Sequence, residues 1–184
     1  MTNPHSERIL TVVVCGAGPA STVTTLIGLA IEHGWIVQVV ATPAALAFLD
    51  PAAIKNQTGS SVRSQYSAPG APRSKVPDAI IVAPATYNTI CKWAFGTSDT
   101  YALGILAEMT GMDIPVIVLP YVNAALARRA PFRRSVESLR GEGVRILLGP
   151  DGIEPHQPRS GTDPSRFPWH VALAEADRLT RHAP

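Results

Sequence analysis

The chain has 184 residues, 46% hydrophobic and 16% charged, with a formal charge of +2 at pH 7. That is enough for one well-packed domain and too little for two, and the charge is too small for nucleic acid to be a main partner. No positively flanked signal segment opens the chain and no apolar run approaches the ~20 residues of a membrane span, so a soluble, cytoplasmic protein with no membrane partner is expected. The low charged fraction implies a surface partly covered by further copies of the chain, hence a homo-oligomer. Cys15 and Cys91 lie inside apolar stretches and read as reduced core thiols, and neither has a partner at metal-ligand spacing, so no metal site is expected. Arg128, Arg129, Arg133, Arg134 and Arg140 crowd one segment, which reads as a solvated helix face.

In chain order, residues 9–15 form a β-branched strand, and Gly16-Ala17-Gly18-Pro19-Ala20-Ser21 is a turn before a helix over 22–33 that Gly34 stops. Residues 36–41 are the next strand, which completes a βαβ unit. Thr42-Pro43 and Asp50-Pro51 each look like an N-cap followed by proline at the first helical position, so two short helices follow. Residues 59–77 are rich in Ser, Gly, Pro, Arg and Gln and read as a long surface loop able to act as a lid. A third strand over 79–83 precedes helices over 88–95 and 99–110, the second with Asp99 as N-cap. Strand four at 115–119 leads to one helix over 124–140, closed by Gly141 and Gly143, and strand five covers 144–148. A Pro/Gly-rich segment at 149–168 precedes an amphipathic helix at 169–182. Strands alternating with helices predict an α/β fold around a parallel sheet of five to six strands, in one domain spanning the chain.

In such a sheet, small molecules bind beyond the carboxyl ends of the strands. The first turn brings Gly16, Ala17, Gly18 and Ser21 to a helix start where backbone N–H groups can meet a phosphate, although it is neither a full G-x-G-x-x-G nor a P-loop with its lysine. Thr42 can add a hydroxyl there or cap its helix. Beyond strand three, Pro84-Ala85-Thr86-Tyr87-Asn88-Thr89 gathers two hydroxyls and an amide that suit a heterocycle edge or ribityl chain, or helix capping. Asn123 after strand four can orient a substrate carboxylate or carbonyl, or make a turn. None of His5, His33, His156, His170 and His182 falls at a strand end, so no general-base histidine is visible and a bound cofactor is expected to carry the chemistry.

These motifs together resemble the flavin-containing cysteine decarboxylase family, which includes phosphopantothenoylcysteine decarboxylase and the lantibiotic peptidyl-cysteine decarboxylases. The resemblance covers residues 9 to about 148. It rests on the 16–21 turn, Thr42-Pro43-Ala44-Ala45-Leu46-Ala47-Phe48, Pro84 to Thr89 in place of Pro-Ala-Ser-Ala-Asn-Thr, and Pro120-Tyr121-Val122-Asn123 in place of Pro-x-Met-Asn. A further mark is residues 134–144, which resemble the family's next helix-to-strand passage. It implies a Rossmann-like (flavodoxin-like) three-layer sandwich, bound FMN, and homotrimers that sometimes assemble into homododecamers. By the same resemblance, Gly16, Ala17, Gly18, Ser21 and Thr42 hold the FMN phosphate, and Pro84, Ala85, Thr86, Asn88 and Thr89 contact the ribityl chain and ring. Asn123 is the catalytic candidate that meets the carboxylate of a small substrate, and Asp99 either supports the site or caps its helix.

Decarboxylating relatives carry a histidine about fourteen residues before the Pro84 motif, and that count lands here on Gly70. Val122 replaces the motif methionine, Leu126-Ala127 replaces a Met-Trp pair, and no cysteine follows Cys91. The cofactor site is thus kept while the substrate site is rewritten. Three readings remain: a flavin-dependent lyase or oxidoreductase acting on a thiol- or carboxylate-bearing substrate, a catalytically silent flavin-binding regulatory or interaction protein, and a flavin prenyltransferase-like enzyme kept open by Arg128 and Arg129.

Overall fold

The computed structural model describes residues 7–66, 68, 70, 74–160 and 163–181. His5, His182 and part of the 59–77 loop lie outside the described residues. Among those described, five strands, β1 (Arg8–Val14), β2 (Trp35–Ala41), β3 (Ala79–Ala85), β4 (Val116–Pro120) and β5 (Arg145–Ile146), form one sheet in the order β2-β1-β3-β4-β5. Every pairing is parallel, as the α/β reading requires. Parallel strands covered on both faces read as unbroken apolar runs, and β3 and β4 are buried at every position. One face carries α1 (Val23–Glu32), α2 (Pro51–Thr58) and α7 (Trp169–Thr180), packed over Leu10, Val12, Val14 and Ile81. The other carries α3 (Tyr87–Ala94), α4 (Tyr101–Gly111) and α6 (Ala130–Gly141), packed over Val13, Ile80, Val82 and Val118. The result is the expected three-layer, flavodoxin-like sandwich. No helix of the described residues is long and apolar enough to cross a membrane.

Four local expectations are corrected. The single helix over 124–140 is broken into α5 (Ala124–Ala127) and α6, because Pro131 cannot donate within a continuing helix and instead sits in the first turn of a new one. Thr100, not Asp99, caps α4: its hydroxyl accepts from the Leu103 N–H at 3.2 Å, while the Asp99 carboxylate pairs with Lys92. β3 runs two residues further than the apolar stretch, through Pro84, with a register shift against β4 between Val82 and Ala85 of the kind that admits proline. β5 shrinks to Arg145–Ile146 at the sheet edge. The start of the 59–77 loop is not loose: Arg63 bonds the backbone of β2 on both sides, donating to the Val39 carbonyl (3.0 Å) and accepting from the Ala41 N–H (2.8 Å).

Candidate functional site

The strand order reverses direction between β1 and β3, and the carboxyl ends of the strands at such a switch point are the usual position of a ligand in an open α/β sheet. The bends leaving the strands are stitched to one another along this edge. Thr42 N–H donates to the Val14 carbonyl (2.9 Å), Cys15 N–H to Pro84 (3.2 Å) and Tyr121 N–H to Ala85 (2.7 Å). The glycine turn, Thr42, the Pro84 to Thr89 bend and the Tyr121-Val122-Asn123 bend therefore share one edge of the sheet.

The two glycines of the first turn do different work. A Cβ on Gly16 would stand 2.8 Å from the backbone carbon and oxygen of Ala44, so the absent side chain lets the segment after β2 close against the turn. A Cβ on Gly18 would meet nothing nearer than the Tyr121 hydroxyl at 3.9 Å, so this backbone is open to a ligand. Ala17 is extended (φ −152°, ψ 160°) and leads into a 3-10 turn, Gly18–Thr22, whose Pro19 removes one potential anion donor. Ser21 is exposed and its hydroxyl donates to the Gly18 carbonyl at 3.1 Å. Thr42 is buried and its side chain makes no helix cap; its carbonyl accepts from Ala45 N–H.

At the β3 bend, Thr86 performs the capping role: its hydroxyl accepts from Thr89 N–H (3.4 Å) and bonds the Thr89 hydroxyl (3.1 Å). The Cys15 thiol is fully buried, and burial pushes it up, only partly offset by hydrogen bonding to Thr89 and Thr86, so Cys15 is a neutral core group. Pro84 and Ala85 are buried in the strand, Thr86 is half-buried and Asn88 is exposed at the rim. Thr86→Ala is expected to lower stability by about 1 kcal/mol through loss of the cap, read as a shift in urea midpoint. Asn123 caps α5, its Oδ1 accepting from Leu126 N–H at 3.0 Å.

The chain after β5 folds back onto the end of β4, which the sequence did not signal. His156 N–H donates to the Val122 carbonyl (3.2 Å) and its carbonyl accepts from Ala124 N–H (2.8 Å), so it pairs alongside Asn123 as a one-residue strand. Its ring stacks on Tyr121 with centroids 4.5 Å apart. The expectation that no histidine reaches a strand end is therefore wrong for His156, which a tertiary backbone bridge, not a local pattern, carries there. Between this tail, Pro19 and the end of β4 lies a cleft of about 430 Å³, whose walls include Tyr121, Leu148, Ile153, His156 and Phe167. The Thr86 to Thr89 bend, on the α3 side of the sheet, does not line it. Among the described residues, no group of three or more His, Cys, Asp or Glu is placed to hold a metal.

The sequence is 30% identical over 127 residues to the coenzyme A biosynthesis bifunctional protein CoaBC of Escherichia coli, which takes in 65% of this chain and 30% of that protein. The chain thus spans about a third of the length of that relative. The structure superposes on the FMN binding protein AtHal3 with a TM-score of 0.74 at 18% identity, covering 97% of this chain and all of the other. It superposes on the FMN-dependent cysteine decarboxylase TvaF from thioviridamide biosynthesis with a TM-score of 0.71 at 24% identity, covering 94% and 99%. The family model described as Flavoprotein matches residues 2–163, nearly the whole chain, and the protein belongs to the flavoprotein family.

Proposed function

We propose that this protein binds FMN at the β1/β3 switch point and is a decarboxylase-like flavoenzyme acting on a small substrate that carries a thiol or a carboxylate. The observation that supports this most is the juxtaposition, on adjacent strand ends, of an open Gly18 backbone with the half-buried Thr86 and the exposed Asn88. These residues fit the cofactor: Gly16, Ala17, Gly18, Ser21 and Thr42 would receive its phosphate, and Pro84, Ala85, Thr86, Asn88 and Thr89 its ribityl chain and ring. Bound there, the flavin would supply a two-electron acceptor. Asn123 spends its carbonyl oxygen on the α5 cap, which leaves its NH2 end as a donor to a substrate carboxylate. Leu46 and Phe48, each 42% exposed on the segment that packs on Gly16, suit coverage by a second copy of the chain in a trimer or dodecamer.

Purified protein is expected to be yellow, or to quench FMN fluorescence stoichiometrically on titration; a colourless protein indifferent to added FMN would remove this reading. A second reading, a flavin-binding protein without turnover, is favoured by Gly70 at the place of the relatives' histidine. Bleaching of the flavin by cysteinyl peptides or thiol acids separates the two, since a silent protein leaves the flavin spectrum unchanged.

A further inference from the structure

Of the histidines in the described residues, His33 is engaged by Asp177 and His170 is exposed on α7, whereas His156 lines the cleft at the end of β4. Its backbone is fixed on both sides by bonds to Val122 and Ala124, and one ring face is stacked on Tyr121. Among the described residues, neither ring nitrogen has a protein hydrogen-bond partner. A histidine immobilised by its main chain, with its nitrogens uncommitted beside a cleft large enough for a small molecule, has what acid–base chemistry requires. The other ionisable groups that line the cleft are Tyr121, Glu154, Asp163 and Arg166. Asp163 is turned to Ser165, whose N–H (2.9 Å) and hydroxyl (2.7 Å) both donate to it.

From this placement we infer that the cleft binds a small acid with an apolar or aromatic body, and that His156 takes and returns its proton. The body packs on Tyr121, Phe167 and Ile153. In the transfer, the bond from the acidic hydrogen to the ligand's heteroatom breaks, the electron pair stays on that heteroatom, and an N–H bond forms on the neutral imidazole. The reverse step returns that proton to the ligand's heteroatom as the N–H bond breaks. The cleft itself is independent of the flavin reading and rests on it only for the reaction this proton transfer would serve.

The test uses 4-nitrophenol as probe and the full chain labelled with 15N at histidine, with and without FMN. The imidazole resonance absent from His156→Gln is expected to move to the imidazolium pattern on titration. In the flavin-free sample nitrophenolate absorbance rises with it, and the rise is missing from His156→Gln. Tyr121→Leu, which keeps the wall apolar but removes the stacking ring, is expected to weaken the probe about tenfold. An unmoved His156 resonance at saturating probe, or equal nitrophenolate signals from wild type and His156→Gln, overturns the inference. Flavin quenching in the same samples keeps the two readings apart: proton transfer without FMN binding sinks the proposed function alone, and FMN binding without proton transfer sinks this inference alone.

Discussion

Gly16→Val is expected to destabilise the fold, whereas Gly18→Asp leaves it near wild type and abolishes most FMN binding. The contrast follows from what stands opposite each α-carbon. At Gly16 a new side chain meets main-chain atoms of Ala44 at 2.8 Å, which cannot rotate away, and overpacking of that kind costs about 1–3 kcal/mol. At Gly18 the nearest atom is 3.9 Å off, and an acidic residue near the start of the Gly18–Thr22 turn is compatible with its backbone dipoles. The same carboxylate would confront the cofactor phosphate, and like-charge juxtaposition of several kcal/mol corresponds to a loss of about 100-fold or more in FMN affinity. Urea unfolding reads the first effect and fluorescence quenching of FMN the second. Wild-type affinity in Gly18→Asp would place the phosphate somewhere other than this turn.

What the sequence made visible is what local pattern encodes. The runs that became β3 and β4 are apolar without interruption because both faces of the sheet are covered there, while β1 and β2 carry Thr11 and Gln38 within theirs, and the turn residues after the strands mark the proposed ligand edge. Capping was harder to read. Asp99 and Thr100 are adjacent and both suit an N-cap, and only the realised backbone, extended at Thr100, decides between them. Thr86 illustrates the same ambiguity, since its hydroxyl caps the helix while its side chain stays only half-buried at the end of β3. Pro131 is a legible break signal, although helix formers stand on either side of it. His156 had none: it reaches Asn123 from 33 positions away through a backbone bridge, in a Pro- and Gly-rich stretch with no periodicity to follow. Long-range placement of that kind is set by the closing of the fold.

The largest stability effect away from the ligand edge is expected at Asp177. Its carboxylate, 4% exposed, accepts from Trp35 Nε1 (2.9 Å) and Arg8 Nη2 (3.1 Å) on one oxygen and meets His33 Nδ1 at 2.6 Å on the other. Arg8 also lies over the Trp35 ring at 3.8 Å, so one acid ties the first residues of β1 and β2 to α7. Burial pushes this carboxyl up, but the bonds from His33, Trp35 and Arg8 outweigh it and hold it below the usual aspartate range. Asp177→Ala strands the buried Trp35 N–H, while Arg8 and His33 turn to water, for a loss of about 3 kcal/mol at neutral pH. Because the folded carboxyl titrates lower than the unfolded one, its contribution is complete above about pH 4 and drains away as the pH falls through the lowered folded value. Urea midpoints measured near pH 7 and near pH 3 should therefore fall further apart for wild type than for Asp177→Ala. The cluster sits at the amino ends of the strands, opposite the proposed cofactor edge, so the folded variant should keep wild-type FMN affinity. A variant as stable as wild type at neutral pH would mean that the buried carboxylate contributes no net stabilisation.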